Sequence, residues 1–114
     1  MEDMSPGIDY QALAGSLAEL LQEHKGQNVS ILDLRKFNIW TDFFIIATVT
    51  SNTHMEGLER HVKEFCHERE ADIFGKSRKG QDDQWRLIDL GSIIIHLMTS
   101  SAREFYDLER LWNN

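Results

Sequence analysis

The sequence predicts an α+β domain built on a mixed sheet of about five strands with three helices. Three observations carry that expectation. An almost continuous apolar run, Phe43-Phe44-Ile45-Ile46-Ala47-Thr48-Val49-Thr50, leads into a stretch of clear helical periodicity. Two more strand-like runs, Trp85 to Leu90 and Ser92 to Thr99, face each other across a tight turn near Asp89 to Ser92. Helical and strand patterns follow one another as helix, strand, strand, helix, strand, strand, strand, helix.

Each element has its own signal. Tyr10, Leu13, Leu17, Leu20 and Leu21 recur at helical spacing over about residues 7 to 25, with Ser5-Pro6 or Asp9 as the start and Gly26 as the C-terminal cap. Val29 to Leu34 alternates loosely and reads as a strand. Phe43 to Thr50 is apolar on both faces, which places it inside the sheet with cover on both sides. From Thr53 to about Arg69, Met55, Leu58, Val62, Phe65 and Cys66 fall at steps of three and four, with Ser51 or Asn52 as cap. Residues 72 to 79 suggest a short strand with a glycine bulge, ahead of a polar loop, Gly80 to Gln84. Phe105, Leu108, Leu111 and Trp112 are expected on one side of a terminal helix starting near Ser101.

A five-stranded sheet is roughly 20 to 25 Å wide, whereas one helix covers about 10 Å. Two helices blanket one face, so three cannot cover both. An exposed apolar patch is therefore expected near Trp85, Leu87 and their hairpin.

Composition narrows the function. At 114 residues, 41% of them apolar, the chain has the length and core of one domain, 1–114. Its 12 Lys and Arg stand against 19 Asp and Glu, a net charge of −7, which disfavours direct nucleic-acid binding and suits a basic protein partner. The first residues, Met1-Glu2-Asp3-Met4-Ser5-Pro6, lack a basic signal region, and no apolar run approaches the roughly 18 residues of a membrane helix. A single cysteine, Cys66, excludes an internal disulfide and fits a reducing compartment. A soluble cytoplasmic protein is the expectation.

Chemistry is hard to find. His54 and His61 lie about 10 Å apart along one helix, and Cys66 and His67 point about 100° apart, so neither pair shares an ion; solvated helix histidines are expected, with no metal and no cofactor. Nucleophile and phosphate motifs are absent, and Gly75-Lys76-Ser77 matches only the tail of a P-loop. Among the carboxylates Asp33, Asp42, Asp82, Asp83 and Asp89, none is paired one residue apart on a strand as a magnesium-dependent nucleotidyltransferase requires. Asp42 and Asp89 are expected to fix strand ends by bonding backbone N–H groups. The alternative, a small Mg-dependent nucleotidyltransferase-like enzyme, would have to work with Asp42 and Asp89. His96, inside Ile93-Ile94-Ile95-His96-Leu97-Met98, is either a hydrogen-bonded core histidine or an interface contact.

Several stretches together resemble one family. Thr41-Asp42-Phe43-Phe44-Ile45-Ile46-Ala47-Thr48 with Thr50-Ser51, then Trp85-Arg86-Leu87-Ile88-Asp89-Leu90-Gly91, then His96, and Ala102-Arg103-Glu104-Phe105-Tyr106-Asp107-Leu108-Glu109-Arg110-Leu111-Trp112 resemble the ribosomal silencing factor family (RsfS or Iojap), across about residues 8 to 112. The resemblance implies a nucleotidyltransferase-like fold lacking catalytic residues. It also implies a bacterial cytoplasmic, non-enzymatic protein that binds ribosomal large-subunit protein fourteen and sterically blocks joining of the small subunit when nutrients are scarce. Carried over by position, the implied partner-binding residues are Trp85, Leu87, Asp89, Gly91, His96 and Arg103, with no catalytic residue. The same apolar surface also suggests a homodimer competing with the ribosome. Where the family has Gly-Thr-Ser before its second helix, this chain has Val49-Thr50-Ser51, so an extended turn is expected there.

Overall fold

The structure is a computed structural model that describes residues 7–79 and 84–112. Helix α1 spans Tyr10–Glu23. Of the two expected starts, Asp9 is the cap, its carboxylate accepting the Ala12 N–H at 3.1 Å. Ser5, Pro6 and Gly80 to Asp83 lie outside the described residues. The helix buries Leu13, Ala14, Leu17, Ala18 and Leu21. Its exit differs from expectation: Lys25, at φ 75°, takes the left-handed position. Gly26 instead donates its N–H to the Leu21 carbonyl at 2.7 Å, so close that an added Cβ would meet that oxygen at 2.8 Å.

Strand β1, Gln27–Asp33, begins ahead of the expected Val29 through a bulge between Gln27 and Ser30. A 3-10 turn at Arg35–Phe37 then leads to β2, Phe43–Val49, every residue of which is buried. Helix α2 runs from Asn52 to Glu68. Ser51, in extended conformation, accepts the His54 N–H at 3.0 Å, so the Val49-Thr50-Ser51 turn needs no glycine. Strand β3, Phe74–Lys79, carries the anticipated bulge, with Gly75 at φ 66° and the register shifting between Phe74 and Arg78. Strands β4, Trp85–Asp89, and β5, Ile93–Thr99, form the expected antiparallel hairpin.

The chain closes on two short helices, α3 at Ser100–Tyr106 and α4 at Leu108–Leu111, where one was expected. Asp107, at φ 49° and ψ 53°, separates them. Asp is one of the few side chains that tolerates this left-handed state. The break turns the apolar stripe apart: Leu108 and Trp112 pack on the sheet, while Phe105 and Leu111 are 79% and 68% exposed.

The five-stranded mixed sheet has the order β1-β2-β5-β4-β3, with β2 and β5 parallel. Strand alternation gives it two unlike faces. Phe43, Ile45, Ala47 and Val49 join Ile93, Ile95, Leu97 and Ile88 in the main core beneath α1 and α2. Within that layer α2 and β4 are tied by a buried ion pair, Arg86 to Glu59, with Lys63 Nζ 3.3 Å from the other Glu59 oxygen. On the opposite face Phe44, Ile46, Ile94 and Met98 form two smaller clusters with Leu34, Ala102, Leu108 and Trp112.

Candidate protein-docking surface

Along β4 the side chains alternate, so that Arg86 and Ile88 are buried while Trp85, Leu87 and Asp89 are half-exposed on the second face. Register pairs Trp85 with Met98, Leu87 with His96 and Asp89 with Ile94. Trp85, Leu87, Asp89, Gly91 and His96 thus come together on one hairpin, as their sequence positions implied. Exposed aromatics extend the strip at both ends. Phe74, 56% exposed, lies over Gly91, where an added Cβ would meet the Phe74 ring at 3.1 Å. At the other end the Tyr106 ring is 4.7 Å from that of Trp85, with Phe105 5.0 Å beyond.

Gly91 sits at φ 83°, and Asp89 accepts its N–H at 2.7 Å, closing the turn. The expected strand-end role of the Asp89 carboxylate is therefore seen. At Asp42 the backbone does this work instead: its N–H donates to the Ser92 carbonyl at 3.0 Å and its own carbonyl accepts the Leu34 N–H at 2.7 Å.

His96 is only 4% exposed, so it underlies the surface and is not part of it. Its Nδ1 lies 3.1 Å from the Trp85 Nε1–H, and the Phe44 ring meets it edge-on at 4.5 Å. Burial pushes its pKa down to about 4, keeping the ring neutral. Arg103 turns inward too. Its guanidinium binds both Glu109 oxygens, at 3.0 and 2.9 Å, and reaches Thr48 Oγ1 at 3.0 Å and Ser30 Oγ at 3.2 Å. The Glu109 carboxyl is held below its usual range, first by the Arg103 hydrogen bond. This network staples α3 and α4 across β1 and β2.

Other titratable groups are accounted for structurally. Hydrogen bonds from Arg35 pull the Asp33 carboxyl down to about 2. Burial raises the Cys66 thiol to about 11, which makes it a packing group. Of the helix histidines, His67 is exposed as expected, whereas His54 and His61 are half-buried and have partners. His54 accepts the Thr50 N–H at Nδ1 and lies 3.0 Å from the His24 carbonyl, while His24 and His61 stack at 3.6 Å beside a cleft of about 220 Å³. The two ring planes lie within 15° of parallel, so their in-plane lone pairs do not converge on an ion between them. Among the described residues no group of three or more His, Cys, Asp or Glu side chains is placed to hold a metal.

Sequence reasoning missed Phe74 and Tyr106 as parts of this surface. The apolar residue at the start of an edge strand was the available signal for the first. Nothing local marked the second, since its exposure follows from the break at Asp107. Arg86 was read within its motif, but its burial depends on Glu59, which lies far away in sequence.

Comparison with known proteins gives this surface a context. Residues 8–114 match the family described as ribosomal silencing factor during starvation. The chain belongs to the ribosomal silencing factor family. It is 38% identical over 107 residues to the ribosomal silencing factor of Treponema pallidum, covering 89% of this chain and 90% of that one. With the Haemophilus influenzae factor it shares 36% identity, covering 89% of this chain and 98% of that one. A mouse relative, named for mitochondrial assembly of the ribosomal large subunit, is 32% identical over 84% of this chain and 43% of its own length. A crystal structure from Chromobacterium violaceum superposes with a TM-score of 0.83 at 31% identity, covering 94% of this chain and 88% of that one. Members of this family are ribosome-associated regulators, and no helix among the described residues is long and apolar enough to cross a membrane.

Proposed function

We propose that this ribosomal silencing factor works in the bacterial cytoplasm by docking the β4 hairpin on the large ribosomal subunit, at ribosomal large-subunit protein fourteen, and so blocks joining of the small subunit. The observation that carries this reading is the strip of Phe74, Leu87, Trp85 and Tyr106. Phe74, Leu87 and Trp85 stay partly exposed on the sheet face beside α3, and Tyr106, the last residue of α3, continues the strip. Trp and Tyr are favoured interface anchors because they bury large area with few rotatable bonds. The net charge of −7 steers the molecule toward a basic protein and away from exposed ribosomal RNA. Action is steric and non-enzymatic, repressing translation when nutrients are scarce.

The test is subunit joining with purified 114-residue protein. Saturating protein prevents small and large subunits from associating, and it co-sediments with large subunits alone. Trp85→Ala, folded by circular dichroism, weakens both effects at least tenfold, as expected for a hot-spot tryptophan. Normal joining at saturating protein refutes the reading. The same strip supports a homodimer that competes with the ribosome; a monomer by light scattering at high concentration refutes that part.

A further inference from the structure

Trp85 is held by a side chain of the neighbouring strand, and that bond has a direction. An indole N–H can only donate, so His96 Nδ1, 3.1 Å away, is the acceptor. A neutral imidazole that accepts at Nδ1 carries its proton at Nε2. That second nitrogen is buried without a partner, an unfavourable arrangement in a strand otherwise made of Ile, Leu, Met and a terminal Thr. A leucine at this position would fill the layer with no orphaned N–H. What the histidine adds is its grip on the Trp85 indole N–H, since the other contacts of that ring, the Ile46, Met98 and Ala102 cluster and the Tyr106 ring at 4.7 Å, are apolar packing and offer the N–H no acceptor.

We propose that His96 is a positioning residue for docking: it accepts the Trp85 indole N–H and fixes that ring in one orientation before the partner arrives. This rests on the reading of Trp85 as the docking anchor. A preset anchor lowers the ordering cost of association, which otherwise subtracts from affinity. His96 thus acts on the ribosome through Trp85 and without touching it. Phe44, edge-on at 4.5 Å, holds the imidazole from the β2 side.

Three substitutions test it, with affinity for isolated large ribosomal subunits as the readout. His96→Leu weakens binding roughly three- to tenfold, as loss of one hydrogen bond predicts. Its thermal midpoint is no lower than that of the unsubstituted protein, a split that a merely structural residue would not give. His96→Asn, whose amide oxygen reaches the place of Nδ1, stays within about twofold. In a Trp85→Phe background, which has no N–H to accept, His96→Leu brings no further loss; an equal loss in both backgrounds overturns the proposal.

A spectroscopic measurement needs no substitution at His96. The Trp85 indole proton, assigned by its loss in Trp85→Phe, exchanges with solvent far more slowly than that of Trp40, which is 73% exposed. Equal exchange rates overturn the proposal. Unchanged subunit binding by Trp85→Ala removes the docking reading and this proposal with it. Loss on Trp85→Ala with none on His96→Leu removes this proposal alone.

Discussion

The two faces of the sheet obey different rules. Under α1 and α2, Leu17, Leu21, Ile45, Ala47, Met55, Val62, Ile93, Ile95 and Leu97 are all at 0% exposure, and the Arg86–Glu59 ion pair there is buried. Under α3 and α4 the layer is thinner, held together by rings and by the Arg103 network, and among the described residues neither of its clusters includes a side chain of β3. The larger core lies on the first face, and the exposed aromatic surface on the second. A small domain can expose aromatics for a partner when its other face supplies the core.

Substitutions sharpen this contrast. The largest expected effect is on the first face, where Glu59→Ala strands the buried Arg86 charge and destabilises by about 4 kcal/mol, read from urea unfolding. Leu17→Ala, which opens a cavity at a 0% exposed site, costs about 3 kcal/mol. A smaller loss for either than for any substitution around Trp85 would break the comparison.

Acid probes the second face. His96 is neutral when folded down to about pH 4, whereas the unfolded ring titrates at its ordinary 6.5, so the unfolded state binds more protons between those values. Its contribution is therefore complete above pH 6.5 and is lost as pH falls toward about 4, reaching on the order of 3 kcal/mol. His96→Leu flattens that limb of the stability profile; an unchanged slope would show that the ring is not held neutral. Smallest of all, Phe105→Ser on the exposed side of α3 changes stability by no more than about 0.5 kcal/mol. Equilibrium unfolding distinguishes that from a core residue.

What was legible in the sequence follows the range of the forces involved. The uninterrupted β2 run, the three-and-four spacing of α2, the bulge at Gly75 and the turn at Gly91 are local patterns, and they appear where expected. Misreadings arose where distant groups decide. The Arg103 bonds to Glu109, Thr48 and Ser30 fasten α4 to the sheet, and the chain breaks at Asp107 although its apolar spacing is that of one helix. His24 meets His61 across two helices, a pairing that spacing within α2 could not reveal. Of the surface, the hairpin residues were readable from the resemblance. The buried, hydrogen-bonded state of His96 was one of the two readings its apolar strand offered, whereas the inward turn of Arg103 was not readable, because it depends on Glu109, Thr48 and Ser30 as neighbours in space.

Strand β5 is the last strand in the chain and the middle one in the sheet. Until Ile93 to Thr99 leave the ribosome, β2 and β4 have no strand to join them, and the apolar β2 edge stays open. Contacts so distant in sequence make assembly slow and nearly all-or-none. The hairpin that carries Trp85 contains this same strand, so its two-sided surface forms only once β5 has joined the sheet.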